Sequence, residues 1–164
     1  LNCNKVGVKL IILPFLETST IKNQKEENTI LENLKNFIPL LKKTKQKILF
    51  EIDMKPQKVY SFIKKFNSKY FGINYDSGNS AGLNYNITDE KKYFKYVKNV
   101  HIKDKFKYGK TIRLGFGDVN FQLLFKTFKK FNYKGNFILQ TARSRKNQFL
   151  EIKKNLKYIT KINS

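Results

Sequence analysis

Apolar residues recur along the chain in two patterns, short dense runs and longer stretches at helical spacing. Residues 6–14 form the first dense run. Four more follow at 47–52 (KILFEI), 70–75 (YFGINY), 97–102 (VKNVHI) and 136–141 (NFILQT), and all five read as strands. Helical patterns lie between them. Residues 26–43 carry Ile30, Leu34, Phe37, Ile38 and Leu41 on one face. A second helix starts at Pro56, a residue suited to a first turn, and runs to about Phe66. Thr88 is placed to cap a short helix through Tyr96. After a long loop marked by Gly109, Gly115 and Gly117, the residues Phe121, Leu124, Phe125 and Phe128 form a helix face. The last helix covers 147–160, with Phe149, Ile152, Leu156 and Ile159 inward. Strict alternation of strands and helices predicts an α/β fold with right-handed crossovers and a parallel sheet in sequential strand order. No low-complexity linker divides the pattern, so one domain over 1–164 is expected.

Composition changes this picture little. The formal charge is +22, from 34 basic and 12 acidic residues. Lysines recur on every helix and connection, and arginine is confined to Arg113, Arg143 and Arg145. That spread reads as a solvated lysine-rich surface, and nucleic acid is not the expected partner. Cys3 is the single cysteine, which excludes an intrachain disulfide and a cysteine-type zinc site. It also favours a reducing compartment, so a cytoplasmic location is expected. The apolar run Val6–Leu16 is interrupted by Lys9 and falls short of the roughly 20 residues that span a bilayer. No small-residue cleavage site follows it, and it reads as a buried parallel strand.

Candidate chemistry sits at the strand ends, where parallel α/β folds collect it. Glu51 ends the second strand, Asp76 the third and His101 the fourth, and Gln140 lies near the end of the fifth. Glu51 and Asp76 are 25 residues apart, as are Asp76 and His101, one βα unit each time. Gln140 follows after 39 residues, a unit with an extended loop. Glu, Asp and His in common register suit a divalent metal: Mn²⁺, Mg²⁺, Zn²⁺ or Fe²⁺. Each residue also has a bland reading. Glu51 can pair with Lys47 or Lys55, Asp76 can cap the Asp-Ser-Gly-Asn turn, and a lone histidine is often a core residue. None of these explains the shared register.

The segments ILFEID (48–53), NYDSGNSAG (74–82), VHIKD (100–104), LGFGDVNF (114–121) and YKGNFILQTAR (133–143) resemble consecutive motifs of the sugar phosphate isomerase/epimerase family, a xylose isomerase-like TIM barrel. The resemblance implies the fourth to eighth strands of a (β/α)8 barrel, as the C-terminal part of a longer chain. It implies metal ligands at Glu51, Asp76, His101 and Gln140, the last a departure from the family's Glu. Family epimerases use two glutamates, one removing a proton and one returning it. Gln cannot act as a base, so Glu51 is left as the one base and proton transfer through a cis-enediolate is the implied chemistry, with Gln140 beside it. Lys103 and Arg143 are candidates to hold a phosphate or acidic sugar group. Asn79 stands where some relatives place a substrate-contacting His, and Glu17 could line the mouth. The implied partner is a small sugar or sugar phosphate. An apurinic-site endonuclease on the same fold is the alternative, though such enzymes need many histidines. A non-catalytic remnant is the other: five βα units stand where a closed barrel has eight in about 250 residues. An open sheet edge could also pair with another copy.

Overall fold

The computed structural model describes residues 2–144 and 147–163. Its centre is a parallel sheet of five strands: β1 (Leu10–Phe15), β2 (Lys47–Ile52), β3 (Phe71–Asp76), β4 (Val97–Ile102) and β7 (Asn136–Leu139). They lie in that order, each paired in parallel with the next, as the alternation predicts. β5 (Asp104–Lys105) and β6 (Thr111–Ile112) form a small antiparallel hairpin within the glycine-marked loop, which sequence pattern leaves as irregular. The register fixes which residues share a face. Glu51, Asn74, Asp76, Asn99 and His101 are brought together on one face of the sheet. On the other face Phe50, Phe71, Ile73 and Tyr75 are buried under the helices. Between β3 and β4 the register shifts by one residue, so that Ile73 faces Val97 but Asn74 faces Asn99.

The first strand starts later than its apolar run. Asn2–Lys5 make a single helical turn, α1, and Gly7 at φ 76° reverses the chain, leaving Val6 and Val8 exposed. The expected helix at 26–43 is two, α2 (Gln24–Lys35) and α3 (Ile38–Thr44). Pro39 breaks it, because its ring would meet the carbonyl four residues back and it has no N–H to give. Phe37 falls at the break and is exposed rather than inward. α4 (Pro56–Lys64) begins at its proline as expected. The cap of the next helix is Asn86, not Thr88: its side chain accepts from the Thr88 N–H at 2.8 Å. Behind it α6 (Ile87–Glu90) tightens into a 3₁₀ stretch, Lys91–Tyr96. α5 (Ser77–Gly82) is an extra helix directly after β3.

α7 (Phe121–Lys130) buries Phe121, Leu124, Phe125 and Phe128, the face read from the sequence. α8 (Gln148–Asn163) turns only Ile159 of its expected face inward. Phe149, Ile152 and Leu156 are exposed, whereas Asn155 is buried and Tyr158, Ile159 and Ile162 pack on the core. Tyr158 meets Phe121 edge-on, and Asn155 donates to the Thr141 hydroxyl at 3.3 Å. The helix carries two apolar stripes, and these contacts select the second. Aromatic rings fill the core between sheet and helices. Phe50, Phe62, Phe66 and Phe71 form one cluster; Phe94 stacks flat on Phe128 at 4.8 Å in another. No helix among the described residues is long and apolar enough to cross a membrane.

Candidate metal centre

Alternation along β2, β3 and β4 places Glu51, Asp76 and His101 at neighbouring strand ends on one face. One ligand atom from each lies within 4.8 Å of the others. His101 Nδ1 stands 3.4 Å from Glu51 Oε2 and 3.9 Å from Asp76 Oδ2. All three residues are buried.

A layer of asparagines lies against this cluster. Asn99 donates to Asn74 Oδ1 at 2.6 Å, which turns the Asn74 amide nitrogen toward the site. That nitrogen then donates to Glu51 Oε2 at 2.8 Å and meets His101 Nδ1 at 3.1 Å. This contact seats the imidazole against the same amide that holds Glu51. Sequence reasoning passed over Asn74 and Asn99. The period-two alternation of FGINYD does put Asn74 on the face of Asp76, and a buried asparagine there has few other uses than a polar site.

Asp76 has two tasks. Its Oδ1 caps α5 by accepting from the Asn79 N–H at 2.7 Å, and its Oδ2 takes the Lys103 ammonium at 3.1 Å. The turn-capping reading holds, and the capping carboxylate also faces the cluster. The Asn79 amide donates to the remaining Glu51 oxygen at 2.9 Å. Gln140 lies one residue beyond β7, its N–H held by the Ile102 carbonyl at 3.0 Å. Its Oε1 accepts from Lys103 at 3.2 Å, so Lys103 bridges Gln140 and Asp76. Arg143 is exposed on the segment after β7, and no hydrogen bond among the described residues joins it to the cluster. Glu17 borders a cavity of about 170 Å³ with Asp53, Asn79 and Lys105.

Burial pushes both carboxyls upward, with different outcomes. At Glu51 the hydrogen bond and charge of His101, the charge of Lys103 and the Asn74 donor outweigh burial and hold it below its usual range. At Asp76 burial wins over Lys103 and the Asn79 amide, and the carboxyl is raised. Two carboxylates and an imidazole nitrogen make a donor set for a divalent cation of the hard to borderline type. Glu51, Asp76 and His101 would hold it, with Gln140 Oε1 as a further oxygen.

A parallel five-stranded βα sheet with a carboxylate–histidine cluster at its strand ends is the architecture of a partial (β/α) barrel with a metal-type site. The sequence profile of the xylose isomerase-like TIM barrel family matches residues 2–162, and the chain belongs to that family. Solved structures share its fold. A xylose isomerase domain protein from Planctomyces limnophilus aligns with TM-score 0.83 at 20% identity, covering 98% of this chain and 61% of that one. The IOLI protein, solved with a bound zinc atom, aligns with TM-score 0.83 at 16% identity over 99% and 65%. The 3-keto-D-glucoside 4-epimerase YcjR from E. coli aligns with TM-score 0.76 at 16% identity over 97% and 66%. The chain spans less than two thirds of the length of each. No curated protein matches it in sequence.

Proposed function

We propose that this chain carries the metal-binding end of a sugar or sugar-phosphate isomerase/epimerase that works by proton transfer through an enediolate. The observation that carries the reading is the convergence of Glu51, Asp76 and His101 within 4.8 Å at three neighbouring strand ends. A zinc-bound relative and an epimerase among proteins of the same fold support it. When bound, a divalent metal supplies Lewis acidity to the sugar's carbonyl and hydroxyl oxygens. Glu51 is the base that takes the proton from the carbon beside the carbonyl and returns it to the neighbouring carbon on the same face. Asn79 and Asn74 fix its two oxygens, so that its orientation is set before substrate arrives. Gln140 offers an oxygen but no second base, so the chemistry is isomerisation on one face rather than inversion. Lys103, Asn79 and, from the rim, Arg143 are the substrate-side polar groups. Five βα units are those of the fourth to eighth barrel strands, and the full activity belongs to a protein with the whole barrel.

Metal binding and proton exchange test the reading together. His101→Ala is expected to abolish stoichiometric Mn²⁺ or Zn²⁺ binding by isothermal titration. In the presence of the complete barrel, Glu51→Gln should lower solvent deuterium uptake into a ketose by about 10²–10⁴-fold. Unchanged metal binding by His101→Ala rejects the centre. Efficient C3 epimerisation with Gln140 in place rejects the one-base mechanism.

A further inference from the structure

Lys103 and Lys105 flank Asp104 at the start of the hairpin, and both side chains run across α5. That helix presents glycine to each of them, one turn apart. A Cβ on Gly78 would stand 2.6 Å from Lys103 Cγ, and one on Gly82 would stand 3.1 Å from Lys105 Cδ. The backbone of Lys103 is pinned as well. Its N–H donates to Ser77 Oγ at 3.0 Å, and the Ser77 hydroxyl donates to the Lys103 carbonyl at 2.6 Å.

The two ammonium groups end on one atom. Lys103 Nζ and Lys105 Nζ each lie 3.4 Å from Asn79 Oδ1. Coulomb repulsion opposes two like charges sharing a neutral oxygen. Among the described residues no carboxylate lies within ion-pairing distance of Lys105. The cavity beside it is lined by Glu17 and Asp53, but both Asp53 oxygens are taken, by the Glu17 N–H and the Thr20 hydroxyl. Lys103 for its part rests on Asp76 Oδ2 and Gln140 Oε1. Those are oxygens that a metal in this centre would use, and one cation at a time can hold them.

We propose that Lys103 and Lys105 form an oxyanion subsite for a carboxylate or phosphate on the substrate, made available when Asp76 and Gln140 pass from the Lys103 ammonium to a metal. The proposal rests on the metal reading of the centre and adds to it the class of substrate, an anionic sugar derivative. The displaced ammonium stays in the channel over Gly78, beside Asn79 and Lys105. There two positive charges and no paired carboxylate face the mouth. Metal and anion then bind cooperatively, since each favours the Lys103 position that suits the other.

Isothermal titration tests this with glycerol phosphate and glycerate as probes and glycerol as the neutral control, with and without saturating Mn²⁺. The parent chain should bind one of the two anions about tenfold more tightly with Mn²⁺ than without, and glycerol in neither case. The tighter probe tells whether phosphate or carboxylate is the natural group. Lys105→Met should lose about tenfold in anion affinity and keep the parent's Mn²⁺ affinity. Lys103→Met should lose anion affinity but bind Mn²⁺ more tightly, because the competing cation is gone. Circular dichroism melts confirm that each variant is folded. Parental anion affinity in both lysine variants overturns the subsite, even with Mn²⁺ bound, since the anion would then be held by the metal alone. Weaker Mn²⁺ binding by Lys103→Met overturns the competition. Absence of Mn²⁺ binding in both the parent and Lys103→Met overturns the metal centre itself, and the coupling with it.

Discussion

Asn74 receives a hydrogen bond from Asn99, donates to Glu51 and touches His101 Nδ1, so its amide is committed on every side. Asn74→Leu would remove all of these contacts, taking one donor from the buried Glu51 carboxylate and the acceptor from the buried Asn99 amide. A loss of about 2–3 kcal/mol in unfolding free energy is expected from urea titration of the metal-free protein. Glu90 is a second buried carboxyl, outside the metal centre. It is 1% exposed and accepts from the hydroxyls of Tyr75 at 2.9 Å and Tyr93 at 3.0 Å. Burial raises it above the ordinary carboxyl value of 4.5 despite those donors. A carboxyl raised in the folded state makes the protein bind protons more readily folded than unfolded. Its ionised form therefore costs stability above the folded pKa, and that cost disappears as pH falls toward 4.5. The amide of Glu90→Gln does not titrate. The parent should accordingly gain melting temperature relative to this variant as pH is lowered from 7 toward about 4.5. A gap that stays constant with pH would mean that Glu90 is not the titrating group.

Strands were readable because their chemistry is dense: β2 and β4 occupy the very residues of their apolar runs, and β3 differs by one position at each end. The same density made the site readable, since Glu51, Asp76 and His101 end those strands. What was hidden lies in choices that period alone does not make. One is the break at Pro39, where local stereochemistry overrides a continuous helical stripe. Another is α8, where two stripes compete and tertiary contacts decide. Lys105 and the asparagine layer were hidden for a different reason, because their meaning comes from partners far along the chain. The two helices α7 and α8 give a direct comparison. Phe128 is 2% exposed and touches Phe94, Tyr133 and Phe137, whereas Phe149 is 67% exposed. Phe128→Ala should cost about 3–5 kcal/mol in chemical denaturation. Phe149→Lys should change stability by no more than about 0.5 kcal/mol. A large loss from Phe149→Lys would show that this face is packed in solution.

At the scale of the molecule the sheet is open, with β1 at one edge and β7 at the other. Ile138 on β7 is 45% exposed, and Phe149, Leu150, Ile152 and Leu156 on α8 are exposed as well. Unpaired strand edges and exposed apolar faces favour self-association. Sedimentation velocity of the isolated chain should show a mass that rises with concentration, and Phe149→Lys with Leu156→Lys should reduce the rise. A monomer at all concentrations would refute this. The hairpin loop is built on the opposite principle. Asp104, fully buried, accepts from the N–H groups of Gly115 and Gly117 at 2.9 Å each and Val119 at 3.2 Å. A Cβ on Gly117 would stand 2.3 Å from Asp104 Oδ1. The loop is wrapped round a carboxylate of its own chain, which anchors its root, while the side chains of Phe106, Tyr108 and Phe116 are exposed. For an evolving chain this separates two kinds of change. Substitutions at the exposed aromatic side chains leave the root untouched, generation after generation, and the root keeps Lys103 and Lys105 in register with Glu51, Asp76 and His101.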